Sequence, residues 1–300
     1  MGEAIIVIAG ATGNLGGRIA AALIERGAKV RAIVRRSSAP EKIEPLGQRG
    51  VAIAEVDFSN VEELARACAG AACVVSALAG LREVIVETQA SVLEAAVRAG
   101  APRFIPSDYS IDFTKLPDGG NRNLDLRREF HQRLERVPLA VTSIFNGMFM
   151  ELLAGQAPII LFKWKRVVYW GDPDQLLDFT TIDNTAEFTA AAALDASAPR
   201  FLRIAGDQLS ARGLAEAASQ VTGEEFRLWR AGDLRRLERL IQITRTLMPG
   251  KDALYPPWQG MQYLHNMFSG AGKLEPLDND RYPGIHWTSV REFLAARRPR

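Results

Sequence analysis

The sequence is poor in the residues that build disulfide frameworks and metal centres. Its 300 residues include only two cysteines and three histidines. Cys68 and Cys73 lie beside an apolar segment, so we expect both to be reduced core residues in a reducing compartment, which favours a cytoplasmic location. His131, His265 and His286 are far apart, and no Cys/His cluster has the spacing of metal ligands, so we predict no metal site.

Long apolar runs and charge of one sign are also lacking. No uninterrupted apolar segment reaches the roughly 18 residues of a membrane span, since the best candidate, residues 141–162, is broken by polar residues, glycine and proline. The net charge is +2, with Lys and Arg scattered along the chain, and the basic tail 297–300 is expected to be solvated. We therefore expect a small-molecule partner, no direct nucleic-acid or membrane partner, and a monomer or homodimer.

A glycine-rich turn near the amino end is the most informative feature that is present. Gly10, Gly13 and Gly16 follow the apolar run 4–9 and precede a helical pattern over 18–26. An apolar run followed by this turn and a helix predicts a dinucleotide cradle, because glycine lets a pyrophosphate approach the backbone and the helix N-terminus offers unpaired N–H groups. The predicted cradle comprises Gly10, Thr12, Gly13, Asn14, Leu15 and Gly16.

Strands and helices alternate through the first half of the chain. Strands are predicted over 4–9, 29–34, 51–56, 72–78, 103–106 and 140–145, and helices over 18–26, 61–69, 83–99 and 124–137. This alternation is typical of βαβ units. The fold class is therefore α/β, with an N-terminal NAD(P)-binding Rossmann fold built on a doubly wound parallel sheet.

The pattern changes after about residue 150, where aromatic residues become frequent. Further strands are predicted over 159–162, 166–170 and 201–205, and helices over 183–194 and 211–221. We expect a Rossmann domain over 1–155 that also receives about 175–205, and a smaller C-terminal α/β substrate region over 156–300. Aromatic residues of this region either line a pocket or belong to the core.

The end of the second strand indicates which nucleotide is bound. Arg35, Arg36 and Ser37 stand where NAD-binding folds carry an acidic residue for the ribose hydroxyl. A 2′-phosphate favours guanidinium groups and a hydroxyl donor, so we predict NADP(H). The alternative is that the two arginines only cap an exposed strand end.

Other side chains at predicted strand ends are candidate cofactor contacts. Asp57 and Phe58 are placed to meet the adenine by a hydrogen bond and a ring contact. Ser76, Ala77 and Leu78 end the fourth strand, where small residues would let the pyrophosphate and nicotinamide ribose pass. Gln89, on the following helix, is a further candidate that would reach the cofactor. Each of them could equally be a turn or packing residue.

Five motifs along the chain are typical of one known family: GATGNLGG at 10–17, the arginine ending strand two, FIPSDY at 104–109, DFTTID at 178–183 and RYPGIHWTSV at 281–290. On these motifs the chain resembles the NmrA-like, isoflavone-reductase-like branch of the atypical short-chain dehydrogenases. The resemblance spans nearly the whole chain. It implies NADPH binding, a Rossmann domain with a smaller substrate domain, and a Pro106-Ser107 step at the cofactor site.

The resemblance also implies a catalytic position that this chain fills differently. Reductase members carry an acid/base lysine on the helix after the Pro-Ser loop, and the equivalent position here is Arg127. An arginine polarises a carbonyl but does not deprotonate. A proton would then come from Tyr109, Lys115, His131 or water; we expect Tyr109 to face the cofactor and His131 to be a surface helix residue.

Asn146 and Gly147, after the sixth strand, are expected beside the nicotinamide. There Asn146 either hydrogen-bonds substrate or cofactor, or only forms a strand-to-helix turn.

Three functions remain open from the sequence. The first is an NADPH-dependent reductase of a small carbonyl, enone or aromatic substrate, with Arg127 polarising the acceptor. The second is a non-catalytic NADP(H)-binding redox sensor read by a protein partner, which the missing lysine favours. A third, an epimerase or dehydratase with tightly held cofactor, is disfavoured because the Tyr-x-x-x-Lys pair is absent.

Overall fold

A computed structural model describes residues 4–297, and its centre is a six-stranded parallel sheet. The strands are β1 (Ile5–Ala9), β2 (Lys29–Arg35), β3 (Ala52–Val56), β4 (Ala71–Ser76), β5 (Arg103–Ile105) and β6 (Ala140–Val141). Their order is β3-β2-β1-β4-β5-β6, and all pairs are parallel. The predicted doubly wound sheet is thus confirmed, and its order reverses between β1 and β4, where the carboxyl ends form a crevice. Residues 298–300 of the predicted solvated tail lie outside the described residues.

Helices cover both faces of this sheet because β1 is apolar on both sides. Ile6 and Ile8 belong to one buried cluster, and Val7 and Ala9 to another. The first cluster is covered by α1 (Asn14–Glu25), α2 (Pro40–Gln48) and α6 (Ile182–Leu194), and the second by α3 (Val61–Cys68), α4 (Gln89–Arg98) and α5 (Arg122–Leu134). The sequence analysis missed α2.

The predicted helix over 83–99 begins differently from an α-helix. Residues Glu83–Thr88 form a wide π-type turn, and the regular helix α4 starts only at Gln89. The hydroxyl of Thr88 donates to the carbonyl of Glu83 at 2.7 Å. Such turns are rare and occur often at functional sites.

The predicted strand over 140–145 divides between two partners. β6 pairs with β5, whereas β7 (Ser143–Phe145) pairs in parallel with β12 (Phe201–Arg203). The Thr142 N–H donates to Phe104 O at 3.0 Å and the Ser143 N–H to Arg200 O at 2.8 Å. Consecutive N–H groups of an extended chain point to opposite sides, so this one segment joins two strands.

A second core is built from the remaining elements. The strands are β8 (Met148–Phe149), β9 (Ile160–Leu161), β10 (Arg166–Trp170), β11 (Leu177–Thr180), β13 (Asp207–Leu209) and β14 (Arg227–Gly232). The helices are α7 (Ala211–Thr222), α8 (Leu234–Leu247), α9 (Pro257–Phe268) and α10 (Val290–Ala296). They form the sheets β14-β10-β9 and β13-β11-β8 around a separate apolar cluster. The sequence predicted β10 and α7 well, and it missed β8, β11, β13, β14 and the last three helices.

Two further expectations from composition can be compared with the fold. Cys68 and Cys73 are buried and unbridged, as predicted, and burial raises the pKa of both thiols to about 12. Over residues 4–297, no helix is both long and apolar enough to cross a membrane.

Candidate active site at the carboxyl ends of the strands

The glycine turn joins the ends of β1 and β4 through direct backbone contact. Gly10 has φ +91°, and a Cβ there would lie 2.6 Å from the carbonyl oxygen of Ala77. A Cβ on Gly16 would collide with the carbonyl of Gly10. Glycine adopts the positive φ of Gly10 without strain, and it has no Cβ to collide at either position. The turn can therefore lie against the backbone at the end of β4.

The first turn of α1 is free to receive an anion. Gly13 is the N-cap and makes no side-chain cap, and no acidic residue lies in the first turn. The side-chain oxygen of Asn14 instead accepts from Arg18 Nε at 2.9 Å, and Arg18 pairs with Asp183. Because the first N–H groups of a helix lack internal partners, this end offers donors and a positive dipole. Thr12 and Leu15 lie half-buried beside it.

The two arginines after β2 lie in different surroundings. Arg35 is exposed, and its guanidinium carbon lies 5.7 Å from the centre of the Phe58 ring. Arg36 makes two hydrogen bonds to the carboxylate of Glu63, at 2.8 and 2.9 Å. In the described chain Arg35 has no carboxylate partner. Arg35 is therefore the cation more available to a phosphate.

Asp57 closes a turn with its carboxylate. One oxygen accepts from the Ser59 N–H at 2.9 Å and from the Ser59 hydroxyl at 2.7 Å. These hydrogen bonds hold the pKa of Asp57 below its usual value. The adenine contact predicted for Asp57 and Phe58 stays a prediction.

Ser107 connects the ends of β4 and β5 to two helices. Its hydroxyl donates to Leu78 O at 2.6 Å, and its N–H donates to Gln89 Oε1 at 2.9 Å. Its carbonyl accepts from Arg127 Nε at 3.0 Å. Pro106, just before it, is buried. The loop after β5 is thereby fixed on three sides.

Gln89 holds this loop and does not reach outward, and its predicted contact with a cofactor stays a prediction. Its side chain is fully buried, and Nε2 donates to Ile85 O at 2.9 Å while Oε1 receives the Ser107 N–H. Both ends of the amide are occupied because α4 turns the residue toward the loop after β5.

Arg127 lies half-buried at this loop, on α5. Nε donates to Ser107 O and Nη1 to Asn123 O, both at 3.0 Å. No acceptor within residues 4–297 receives a hydrogen bond from Nη2. The side chain is thus fixed by two backbone carbonyls, and one amino group remains available.

Tyr109 is buried, and its predicted position facing the cofactor stays a prediction. Its side chain lies in the apolar cluster on the α1/α6 side of the sheet, beside Thr189, and its hydroxyl has no partner in the described structure. Neighbouring side chains of an extended segment point to opposite sides, and Asp108 takes the side of α5. Burial raises the pKa of Tyr109 far above its ordinary value.

Several buried polar groups at neighbouring strand ends have no partner. Among residues 4–297 these include the Ser76 hydroxyl, one carboxylate oxygen of Asp108, and both ends of the Asn146 amide. The Asn146 backbone is itself paired, with Ser110 O at 2.9 Å and the Thr180 hydroxyl at 2.7 Å. Buried polar atoms are nearly always hydrogen-bonded, so these unpaired groups make the strand ends a candidate binding site.

His131 is buried, which corrects the expectation of a surface residue. Its Nε2 lies 2.6 Å from Asp108 Oδ2, and its Nδ1 lies 3.4 Å from Arg200 Nη2. The sequence did contain a signal for this burial. Phe130 and Leu134 lie on the inner, apolar face of α5, and His131 lies between them on that face. Lys115 was another predicted proton donor. Its Nζ donates hydrogen bonds to Lys273 O at 2.8 Å and to Glu275 O at 3.3 Å.

The pKa of Asp108 reflects two opposed effects. Burial alone raises it, but His131, together with Ser143 and Arg127, holds the pKa of this carboxyl below its usual value. Asp108 is therefore an ionised group in the interior.

The sheet order and glycine turn define a Rossmann-type α/β protein. The NmrA-like family model matches residues 2–275, and the chain belongs to that family. A bifunctional pinoresinol-lariciresinol reductase of Linum usitatissimum is 25% identical over 318 residues, covering 98% of this chain and 99% of the relative. A structure of AtPrR2 with NADP+ and (+)pinoresinol superposes with a TM-score of 0.83 at 19% identity, covering 99% of both chains. An isoflavone reductase structure also gives 0.83, at 21% identity over 98% of this chain and 99% of the other.

Proposed function

We propose that this protein is an NADPH-dependent reductase of a small carbonyl, enone or aromatic substrate. The observation that carries the proposal is the set of unpaired buried polar groups after neighbouring strands, together with an arginine that is fixed at the loop after β5 and keeps one amino group free. The curated relative is named for the reduction of pinoresinol and lariciresinol, which supports an aromatic substrate.

The residues that follow β1 and β2, at the carboxyl ends of these strands, fit NADP(H). The uncapped first turn of α1 would hold the pyrophosphate, and the glycine turn leaves room for it. Arg35 would hold the 2′-phosphate, while Arg36 would first have to leave Glu63. When bound, the reduced cofactor supplies a hydride to the substrate.

Arg127 would stabilise negative charge on the substrate. Its guanidinium is held before the reaction by Ser107 and Asn123, so little reorganisation is needed. An arginine remains protonated, so it polarises an oxygen without supplying the proton.

Tyr263, on α9, is the proton donor that we propose beside Arg127. Burial raises the pKa of Tyr263 to about 12, and the positive charge of Arg127 acts in the opposite direction. The Asn123 side chain, on the same helix as Arg127, also interacts with the phenol. The group is protonated at neutral pH, and Arg127 would stabilise the phenolate left after transfer to the substrate oxygen. The sequence analysis had counted Tyr263 only among aromatic pocket candidates.

NADPH consumption tests the proposal directly. Oxidation followed at 340 nm with a panel of quinones, enones and aryl carbonyls should reveal turnover with at least one class. Absence of turnover across the panel, combined with tight binding of NADP+, would instead support the redox sensor. The observation that favours this second candidate is that arginine replaces the lysine which the resemblance implies, since arginine lacks acid/base chemistry.

We also propose the division into a Rossmann domain over 1–155 with about 175–205, and a substrate region over 156–300. It is supported by the packing of α6 on the first region and by the separate apolar cluster of the second. A monomeric or homodimeric state and a cytoplasmic location remain predictions.

A further inference from the structure

We propose that Asp108 and His131 form a positioning pair that holds Arg127 in its active orientation. This inference rests on the proposed function, in which Arg127 stabilises charge on the substrate. It assigns His131 a role that is exerted through Asp108 and the loop, without contact between the imidazole and the substrate.

Two side-chain contacts tie α5 to the loop after β5. Arg127 Nε bonds to Ser107 O at 3.0 Å, and His131 Nε2 lies 2.6 Å from Asp108 Oδ2. Arg127 and His131 are four residues apart, so they lie one above the other on the same face of the helix. Ser107 and Asp108 are consecutive. The two contacts therefore lie next to each other, and both join one face of α5 to the loop after β5.

The chemistry of the neighbours assigns the histidine proton. Arg200 has only donors, so His131 Nδ1 accepts from its Nη2 at 3.4 Å. His131 Nε2 then carries the hydrogen and donates it to the Asp108 carboxylate. Arg200 Nη1 also donates to the Ser143 hydroxyl, at 2.6 Å. The imidazole thus links the Asp108 carboxylate to the Arg200 guanidinium.

Every element packed around the imidazole contributes to this arrangement. The Phe113 ring contacts it edge-on at 4.9 Å between centroids, and Phe201 lies stacked at 6.3 Å. The charged groups facing the pair are Asp108, Arg127 and Arg200, with Glu135 acting on Arg200. This packing leaves the ring little freedom to rotate. If the imidazole donor were lost, the buried carboxylate of Asp108 would lack a hydrogen bond. The loop after β5 could then shift, and Ser107 O, the acceptor of Arg127 Nε, would shift with it.

A matched pair of amide substitutions tests the proposal. In His131→Gln the amide nitrogen reaches the place of Nε2 and can donate to Asp108, whereas His131→Asn is one methylene too short. We expect kcat with NADPH and the best substrate of the panel to fall roughly 10- to 100-fold in H131N. In H131Q we expect it to stay within about threefold of the wild type, and the Kd for NADPH to change little in both. His265→Asn, which breaks the 3.0 Å contact between His265 and Glu238, is the control and should keep full activity.

A second measurement is independent of turnover. The hydrogen-bonded Nε–H of Arg127 should give a slowly exchanging signal in ¹H–¹⁵N spectra of the arginine-labelled protein, assigned by its absence in Arg127→Lys. We expect the signal to be retained in H131Q and in Asp108→Asn, which keeps an acceptor for Nε2, and to be lost or fast-exchanging in H131N. An unchanged signal in H131N, or equal behaviour of H131N and H131Q, overturns the positioning role. Failure of the reductase proposal alone would abolish turnover in the wild type and leave this spectral difference intact.

Discussion

The two ends of the crevice above the sheet are built in different ways. At the β1–α1 end the candidate site is formed by backbone groups. These are the glycine turn, the carbonyl at the end of β4 and the free N–H groups of the first turn of α1. At the β5–α5 end the site is made of side chains, with Arg127, His131 and Asn146 placed by contacts to distant segments. A short stretch of sequence can therefore specify the β1–α1 end by itself, whereas the β5–α5 end depends on contacts made by the whole fold.

The largest effect is expected at the side-chain end. Arg127→Ala should lower kcat by roughly 100- to 1,000-fold, because it removes the charge that stabilises the substrate oxygen, while NADPH affinity stays nearly unchanged. Steady-state kinetics and a cofactor titration measure the two quantities. Arg127→Lys should preserve or raise turnover if a cation at this position is catalytic. Complete loss in that variant would show that the guanidinium fork itself is required.

At the backbone end, Gly10→Ala should destabilise the fold itself. The positive φ and the collision with Ala77 O together predict a loss of about 2–4 kcal/mol in the free energy of unfolding. Urea titration measures it. Gly47→Ala is the control, because a Cβ at that helical position meets no atom within 4 Å. Equal behaviour of the two variants would contradict the special geometry of the turn.

Tyr263→Phe separates proton transfer from packing at the side-chain end. The ring is kept and only the hydroxyl is lost, so we expect kcat to fall by roughly 100-fold with little change in stability. Comparison of kcat with the unfolding midpoint measures this. Unchanged turnover would point to water as the donor.

The two arginines after β2 should differ in their contribution to cofactor choice. Arg35→Ala should reduce the preference for NADPH over NADH by roughly 10- to 100-fold, since a charge-assisted hydrogen bond is lost. Arg36→Ala should have a smaller effect, because Arg36 is already paired with Glu63. Calorimetric titrations with both cofactors measure the preference, and the reverse ranking would mean that Arg36 exchanges Glu63 for the phosphate.

The smallest effect on stability is expected at Asn146. Asn146→Leu replaces an unpaired buried amide by an apolar group of similar shape, so the apoprotein should be as stable as the wild type or about 1 kcal/mol more stable. Turnover should nevertheless fall, because the amide would pair with the bound molecules. Thermal unfolding and kinetics of the same preparation check this. A destabilised apoprotein would assign Asn146 a purely structural role.

The parts of the fold that follow from local pattern were predictable. β1, the glycine turn, α1 and, apart from α2, the alternation up to β5 were predicted from local runs of residues, because each apolar strand and each glycine leaves a local signal. The family resemblance was confirmed by the match over residues 2–275.

The rest depended on contacts between distant residues. Tyr109 and Asp108 are neighbours in sequence, yet they point to opposite sides, and nothing local says which side holds the site. His131 looked like a surface residue on a charged helix until Asp108, 23 positions earlier, was placed against it. Gln89 was turned inward by a π-type turn that has no clear sequence signal.

Isothermal titration of the protein with NADPH and NADH tests the central claim most directly. We expect NADPH to bind clearly more tightly than NADH, because Arg35 would pair with the 2′-phosphate that NADH lacks. Binding of neither cofactor, or tighter binding of NADH, would contradict the account.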